Sequence, residues 1–212
     1  MTTDSTAAID TPDIGRVTWE AEGMEGGPYH SRKLHVPTGS SGLTLGRGYD
    51  MKERSSASIA QDLVDAGVSP DTAALISQAA GLTGAAARQF IQDRHLETFE
   101  ITPAGQKALF LHTYAALKKD VQRISDKPEV VQAYGACALD STDPAIVDIL
   151  VDLRFRGDYT GASRAWVQRP AARNDLPAFI QTMKDAANWT NVPRDRFQRR
   201  YAFLELALAA KA

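Results

Sequence analysis

The apolar positions of this chain change rhythm once, near residue 55. After Ser55 they recur three and four residues apart in successive stretches bounded by residues that start or stop helices. Ser69-Pro70 opens a segment that closes at Gly81, Thr83 caps the next, and Thr102-Pro103 opens a third. In that third helix Phe110, Tyr114, Leu117 and Val121 share one face, which predicts a helix turned toward the core. Asp143-Pro144 starts a more apolar helix with Ile146, Ile149, Leu150 and Leu153 on one side and Gly157 as its stop; it is the candidate for the central buried helix. Segments 175–188 and 193–210 complete the helical set, the second expected to bury Phe197, Tyr201, Leu204 and Leu208 on one stripe.

Upstream the texture differs. Between Gly23 and Asp50 stand seven glycines and two prolines, around the alternating stretches LHV and LTLGRGY, a pattern that predicts a small sheet or hairpin. Before it, IGRVTWEAEG is a short helical stretch ending at Gly23, the residue type that closes helices, so Glu22 is expected at a helix C-terminus. Residues 1–12 are small and polar without periodicity and read as a flexible leader or linker. The expected fold class is therefore α+β and mostly helical. A small glycine-rich β lobe, residues 24–54, sits on a larger helical lobe, residues 55–212, within a single domain spanning 13–212. A ligand cleft is expected between two such lobes.

Composition narrows the function classes. The chain has 212 residues, 43% of them hydrophobic and 24% charged, an ordinary globular balance. Its net charge of −2 lacks the basic excess that drives non-specific nucleic-acid binding. The lone Cys137, in AYGACALD, has no second Cys or His at metal spacing and reads as a small core residue. MTTDSTAAIDTPD has neither the basic nor the apolar region of a secretory signal, and no stretch is apolar for long enough to span a bilayer. A soluble monomer made in the cytoplasm is expected, with no membrane insertion.

Candidate chemistry converges on the upstream segment: a carboxylate at a helix end (Glu22-Gly23), the β stretch SGLTLGRGYD, and Asp50 closing it. Cleaving a glycosidic bond needs a proton for the departing oxygen and stabilisation of an oxocarbenium-like centre, which two carboxyl groups in unlike environments provide. A glutamate at a helix C-terminus faces the negative end of the helix dipole, and burial near Trp19 or Tyr49 would favour its protonated form. An aspartate among glycine amides finds donors that favour its ionised form. Gly42, Gly46 and Gly48 allow sharp turns or close approach of a ligand to the backbone, or hairpin geometry alone.

The pair AEG and SGLTLGRGYDM resembles the motif of the pesticin-like lysozymes, a branch of the phage-type lysozyme superfamily. The stretches SQAAGLTG, DPAIVDILVDLRFRG and NVPRDRFQRR follow in matching order, so the resemblance covers residues 14–212. It implies a lysozyme-like fold and a muramidase that cuts the β-1,4 bond between N-acetylmuramic acid and N-acetylglucosamine without cofactor or metal. It carries the catalytic acid onto Glu22, with Thr44 and Asp50 activating water, and implies inversion of configuration; Glu20 stays open as an alternative acid. Gly46, Gly48, Tyr49 and His30 are the expected substrate contacts, and the partner is the peptidoglycan glycan strand. An antibacterial effector or bacteriocin domain, restrained in its producer by an immunity protein and acting in a target's periplasm or wall, fits this chemistry, as does a phage endolysin; a catalytically degenerate wall-binding module is the other alternative.

The remaining polar residues add less. His30, His35, His95 and His112 are scattered, whereas metal or triad chemistry needs convergence. Glu20 and Glu25 are expected to flank the cleft as solvated charges. Arg194, Arg196, Arg199 and Arg200 form a basic cluster that would grip an anionic wall or pair with acids of the helical lobe. Trp166 and Trp189 read as core anchors.

Overall fold

A computed structural model describes residues 11–27 and 30–211, so most of the leader expected over residues 1–12 lies outside the described residues. In chain order come α1 (Arg16–Ala21), β1 (Thr44–Leu45), β2 (Tyr49–Asp50), α2 (Ser56–Asp65), α3 (Pro70–Ser77), α4 (Gly84–Asp93) and α5 (Pro103–Ser125). Then follow α6 (Pro128–Tyr134), α7 (Pro144–Arg156), α8 (Gly161–Ala172), α9 (Leu176–Lys184), a 3-10 turn (Ala186–Trp189) and α10 (Arg194–Ala209). The protein is α+β and mostly helical, with one small antiparallel sheet among the described residues. No described helix is long and apolar enough to cross a membrane.

Most helix starts follow the side chains that cap them. Ser55 accepts from the Ser58 amide, Ser69 from Thr72, and Asp143 from Ala145, each satisfying an amide that the first turn leaves without a helical partner. Thr83 occupies the cap position of α4 but makes no side-chain cap bond; the Gly84 amide donates instead to the Ser41 carbonyl at 3.0 Å. The helix expected over 175–188 breaks at Asp185, whose carboxylate accepts from Ala187 and starts the 3-10 turn.

The chain forms two compact units, the boundary passing through α5. In the unit made of Met1–Asp13 and Glu22–Thr113, the glycine-rich stretch has no core of its own. Leu34, Leu43, Leu45, Tyr49 and Met51 share one apolar cluster with Ile59 and Leu63 of α2, Ile76 of α3, Ala87 of α4 and Leu109 of α5. Strands of two residues cannot bury enough surface to stand alone, so the hairpin is a rim on helices.

The other unit, Ile14–Ala21 with Tyr114–Ala212, is organised by α7. Every residue from Ala145 to Leu153 is buried, the state of a helix enclosed on all sides, and Gly157 ends it in the left-handed conformation at φ 90°. α7 packs against α1 and α10. Two acids on its buried surface are matched by partners: Asp148 accepts from the Tyr114 hydroxyl and the Gly15 amide, and Asp152 binds Arg196 and Arg200 of α10.

That last pairing corrects the expected stripe of α10. The residues it buries are Arg196, Arg200 and Leu204, whereas Leu208 is 37% exposed and Phe197 and Tyr201 are half-buried. A hydrophobic pattern cannot see a helix face whose inward residues are arginines neutralised by an acid on a neighbour. Arg196 and Arg200 are thereby internal ion-pair partners and not a surface grip. Trp189 stacks edge-on against Trp166 with centroids 5.7 Å apart and is 5% exposed, an anchor of this core. Cys137 is buried, and burial pushes its thiol above the usual range.

Candidate functional site

The hairpin that carries the motif follows from strand alternation. Leu43 and Leu45, then Tyr49 and Met51, enter the core at 0–1% exposure. The intervening Thr44 and Asp50 therefore point to the opposite face. The antiparallel register sets Thr44 directly across from Asp50, and Leu45 across from Tyr49. Side chains paired this way lie about 5 Å apart at Cβ, so hydroxyl and carboxylate are neighbours by construction. The turn between the strands is Gly46-Arg47-Gly48, with φ of 62° and 80° at its glycines, a left-handed backbone that a side chain would strain. His35 exchanges both backbone hydrogen bonds with Thr44, so the LHV segment lies against the strand as its alternation suggested.

The Asp50 carboxylate is fixed by main chain. Oδ1 accepts the Lys52 amide at 2.8 Å and Oδ2 the Gly42 amide at 3.2 Å. Thr44, itself only 4% exposed, donates its hydroxyl proton to the Gly42 carbonyl at 3.2 Å, a bond that leaves the lone pairs of its oxygen unused. Gly42 is the hinge of this arrangement. A Cβ there would stand 2.3 Å from Asp50 Oδ1 and 2.7 Å from the Lys52 nitrogen, so Gly42→Ala is expected to displace the carboxylate. We expect that variant to remain folded by circular dichroism and to slow any reaction that uses the Asp50 carboxylate about 10- to 100-fold, the scale of an ångström-level misplacement; an unchanged rate would show that the Asp50 position is not critical.

Glu22 is the residue that follows α1 and is half-buried, at the helix end that its glycine neighbour predicts. Glu20 differs: it lies within α1 and pairs with Arg16 at 2.9 Å, both side chains well exposed. The segment after Glu22 is tied to the hairpin by Arg47. Its Nη1 donates to the Gly23 carbonyl at 2.8 Å and its Nη2 to Glu25 Oε1 at 3.3 Å. The two halves of the motif, Glu22-Gly23 and Thr44 to Asp50, are thus joined through the side chain at the tip of the turn.

Glu25 is not the solvated charge expected. Its carboxylate also accepts from Gln106 Nε2 at 2.6 Å and Arg32 Nε at 3.0 Å, with His30 Nδ1 at 3.6 Å. Arg32 reaches on to Glu100 at 2.7 Å, and His30 Nε2 lies 3.0 Å from the same carboxylate. The hydrogen bond from His30 first, and the charges of Arg32 and Lys33 after it, hold the Glu100 carboxyl below its ordinary range. Glu25, His30, Arg32, Lys33 and Glu100, with Gly26 and Gly27, line a cleft of about 410 Å³.

The expected contact residues thus fall in different places. His30 lines this cleft, its Nδ1 accepting from the Gly26 amide at 2.7 Å. Tyr49 is 1% exposed, its ring lies under the Arg54 guanidinium, and its hydroxyl donates to Asp62 at 2.6 Å; burial, then Asp62, raise that hydroxyl well above its usual range. Its ring is core and offers no face to a ligand. Gly46 is buried against Gln106 and Ile101, so the close approach it permits is used by the protein itself, while Gly48 is half-buried. No spacing rule brings residues 25, 32, 47, 100 and 106 together; the one hint in the sequence is a high density of charge within a glycine-rich stretch.

The chain belongs to the family described as a domain of unknown function, DUF8812, whose profile matches residues 15–201. No curated protein matches it.

Proposed function

We propose that the protein is a peptidoglycan hydrolase of the pesticin-like lysozyme type, a muramidase cutting the β-1,4 bond between N-acetylmuramic acid and N-acetylglucosamine. The observation that carries this is the Thr44–Asp50 cross-strand pair, with the Asp50 carboxylate held by two backbone amides and the Glu22-Gly23 segment anchored to the same hairpin. Such a pair suits activation of one water. Asp50 accepts one of its protons, the Thr44 oxygen accepts a hydrogen bond from the other, and the water's lone pair is left to attack the anomeric carbon. Glu22, in its protonated form, gives its proton to the departing glycosidic oxygen. Attack on the face opposite the leaving group inverts the anomeric configuration. The atoms balance: water adds across the bond, Asp50 gains a proton, Glu22 loses one, and exchange with solvent restores both.

The cleft at His30, Arg32 and Lys33 falls in the volume range of ligand sites, but its lining includes none of Glu22, Thr44 and Asp50, so of the expected substrate contacts it bears on His30 alone. An antibacterial toxin or effector role, with an immunity protein in the producer, accords with this chemistry.

Purified sacculi are the test. The wild type is expected to release muropeptides with new reducing N-acetylmuramic acid ends by mass spectrometry, initially α in configuration by NMR. Asp50→Asn is expected to lower the rate about 10²- to 10⁴-fold. Anhydro ends would indicate transglycosylation, free peptides amide cleavage, and β ends a retaining mechanism; release of nothing would overturn the enzymatic reading.

A further inference from the structure

Arg47 stands between two glycines at the tip of the hairpin, a place where a long cation is ordinarily solvated. Here it is 5% exposed, and its fork is divided between two acceptors, the Gly23 carbonyl and Glu25. Glu25 is in turn held by Gln106 and Arg32. Gly23 completes the contact from the other side: a Cβ on it would lie 2.6 Å from Arg47 Cγ and 2.5 Å from Ser31 Oγ, the atom that accepts the Met24 amide at 2.7 Å. The backbone next to Glu22 is therefore gripped at a carbonyl and at the following amide, in a turn whose glycine would otherwise leave it many conformations. Bonds from a guanidinium are stronger than neutral ones, and its planar fork fixes direction as well as distance.

We infer that Arg47 is a positioning residue for the acid: it clamps the Gly23 carbonyl and so sets where the adjoining Glu22 carboxyl stands, while Glu25 holds the clamp. This rests on the reading of Glu22 as the acid.

Two substitutions attack the same contact from opposite sides. Arg47→Lys keeps the charge but loses the fork, and Gly23→Ala pushes the Arg47 stem away. Each is expected to lower kcat on solubilised glycan-strand fragments about 10- to 100-fold per folded molecule, with KM unchanged, as loss of orientation does. The double variant should lose no more than Gly23→Ala alone, because that substitution already breaks the Arg47 contact, together with the one to Ser31. Folded fraction is read by circular dichroism, and Glu25→Gln replaces Arg47→Lys in the cycle if the latter does not fold. A folded Arg47→Lys with full kcat, or losses that multiply in the double variant, would overturn the positioning role while leaving the muramidase reading intact. An inactive wild type, or a Glu22→Gln variant at full speed, would instead strike the underlying reading and the clamp with it.

Discussion

Glu22→Gln is expected to abolish release of reducing ends from sacculi, by about 10²- to 10⁴-fold, while leaving the protein folded. Glutamine matches glutamate in shape and still hydrogen-bonds, but it has no acidic proton to give. In the proposed mechanism the departing sugar oxygen would then have to leave as an alkoxide. Glu20→Gln is the control. Its side chain is 42% exposed and paired with Arg16 on the surface of α1, so its loss should cost a few tenths of a kcal/mol in stability and nothing in rate. The two variants are separated by initial rates on the same sacculus preparation. An inactive Glu20→Gln beside an active Glu22→Gln would move the acid two positions upstream.

The largest stability effect is expected at Asp152. Its carboxylate is fully buried and accepts from Arg196 Nη2 and Arg200 Nε, both at 2.6 Å; Arg200 is itself 0% exposed and continues to Asp158 at 2.8 Å. Asp152→Ala leaves two buried guanidinium groups facing an empty space, which costs about 3–5 kcal/mol, a large share of an ordinary domain's stability. Converting Asp152, Arg196 and Arg200 together to Leu, Met and Met should be close to neutral, because the desolvation cost disappears along with the attraction. All three tryptophans, Trp19, Trp166 and Trp189, belong to this unit, so the urea midpoint of their fluorescence reports it directly.

The same pairing fixes a dependence on acid. Burial alone would raise the Asp152 carboxyl, but Arg200 and Arg196 outweigh it and hold it below its ordinary value. A carboxyl whose folded-state pKa is depressed contributes stability that is complete above the unfolded pKa of about 3.9 and lost as pH falls through the folded one. The fluorescence midpoint of the wild type should therefore drop below about pH 4, and the component due to Asp152 should be missing from the triple apolar variant. A wild type and triple variant with identical acid limbs would show that Asp152 does not govern the transition.

Much of the architecture was legible along the chain because local signals and local physics coincide. Ser55, Ser69 and Asp143 cap the helices they precede, Gly157 closes α7, and the apolar periodicity of α7 named the most buried helix. The alternation around LTLGRGYD suggests a hairpin, but the register that sets Thr44 across from Asp50 depends on the three-residue turn Gly46-Arg47-Gly48 that the structure shows. What the pattern could not reveal was burial of charge. The sequence leaves Arg196 and Arg200 open between a surface grip and pairing with acids of the helical lobe; Asp152, 44 and 48 positions away, selects the pairing, and that decides which face of α10 turns inward.

The candidate site divides the same way. Its residue types and their order, Glu22 before Gly23 and Thr44 before Asp50, belong to the sequence, as does the helix end at Ala21. Only the tertiary structure decided that Tyr49 is core, that Glu25 is the centre of a network drawn from residues 32, 47 and 106, and that Arg47 joins the two halves of the motif. The physical reason is range: capping, turns and strand alternation act over a few residues, whereas a buried charge is tolerable only where distant parts of the chain supply its partners.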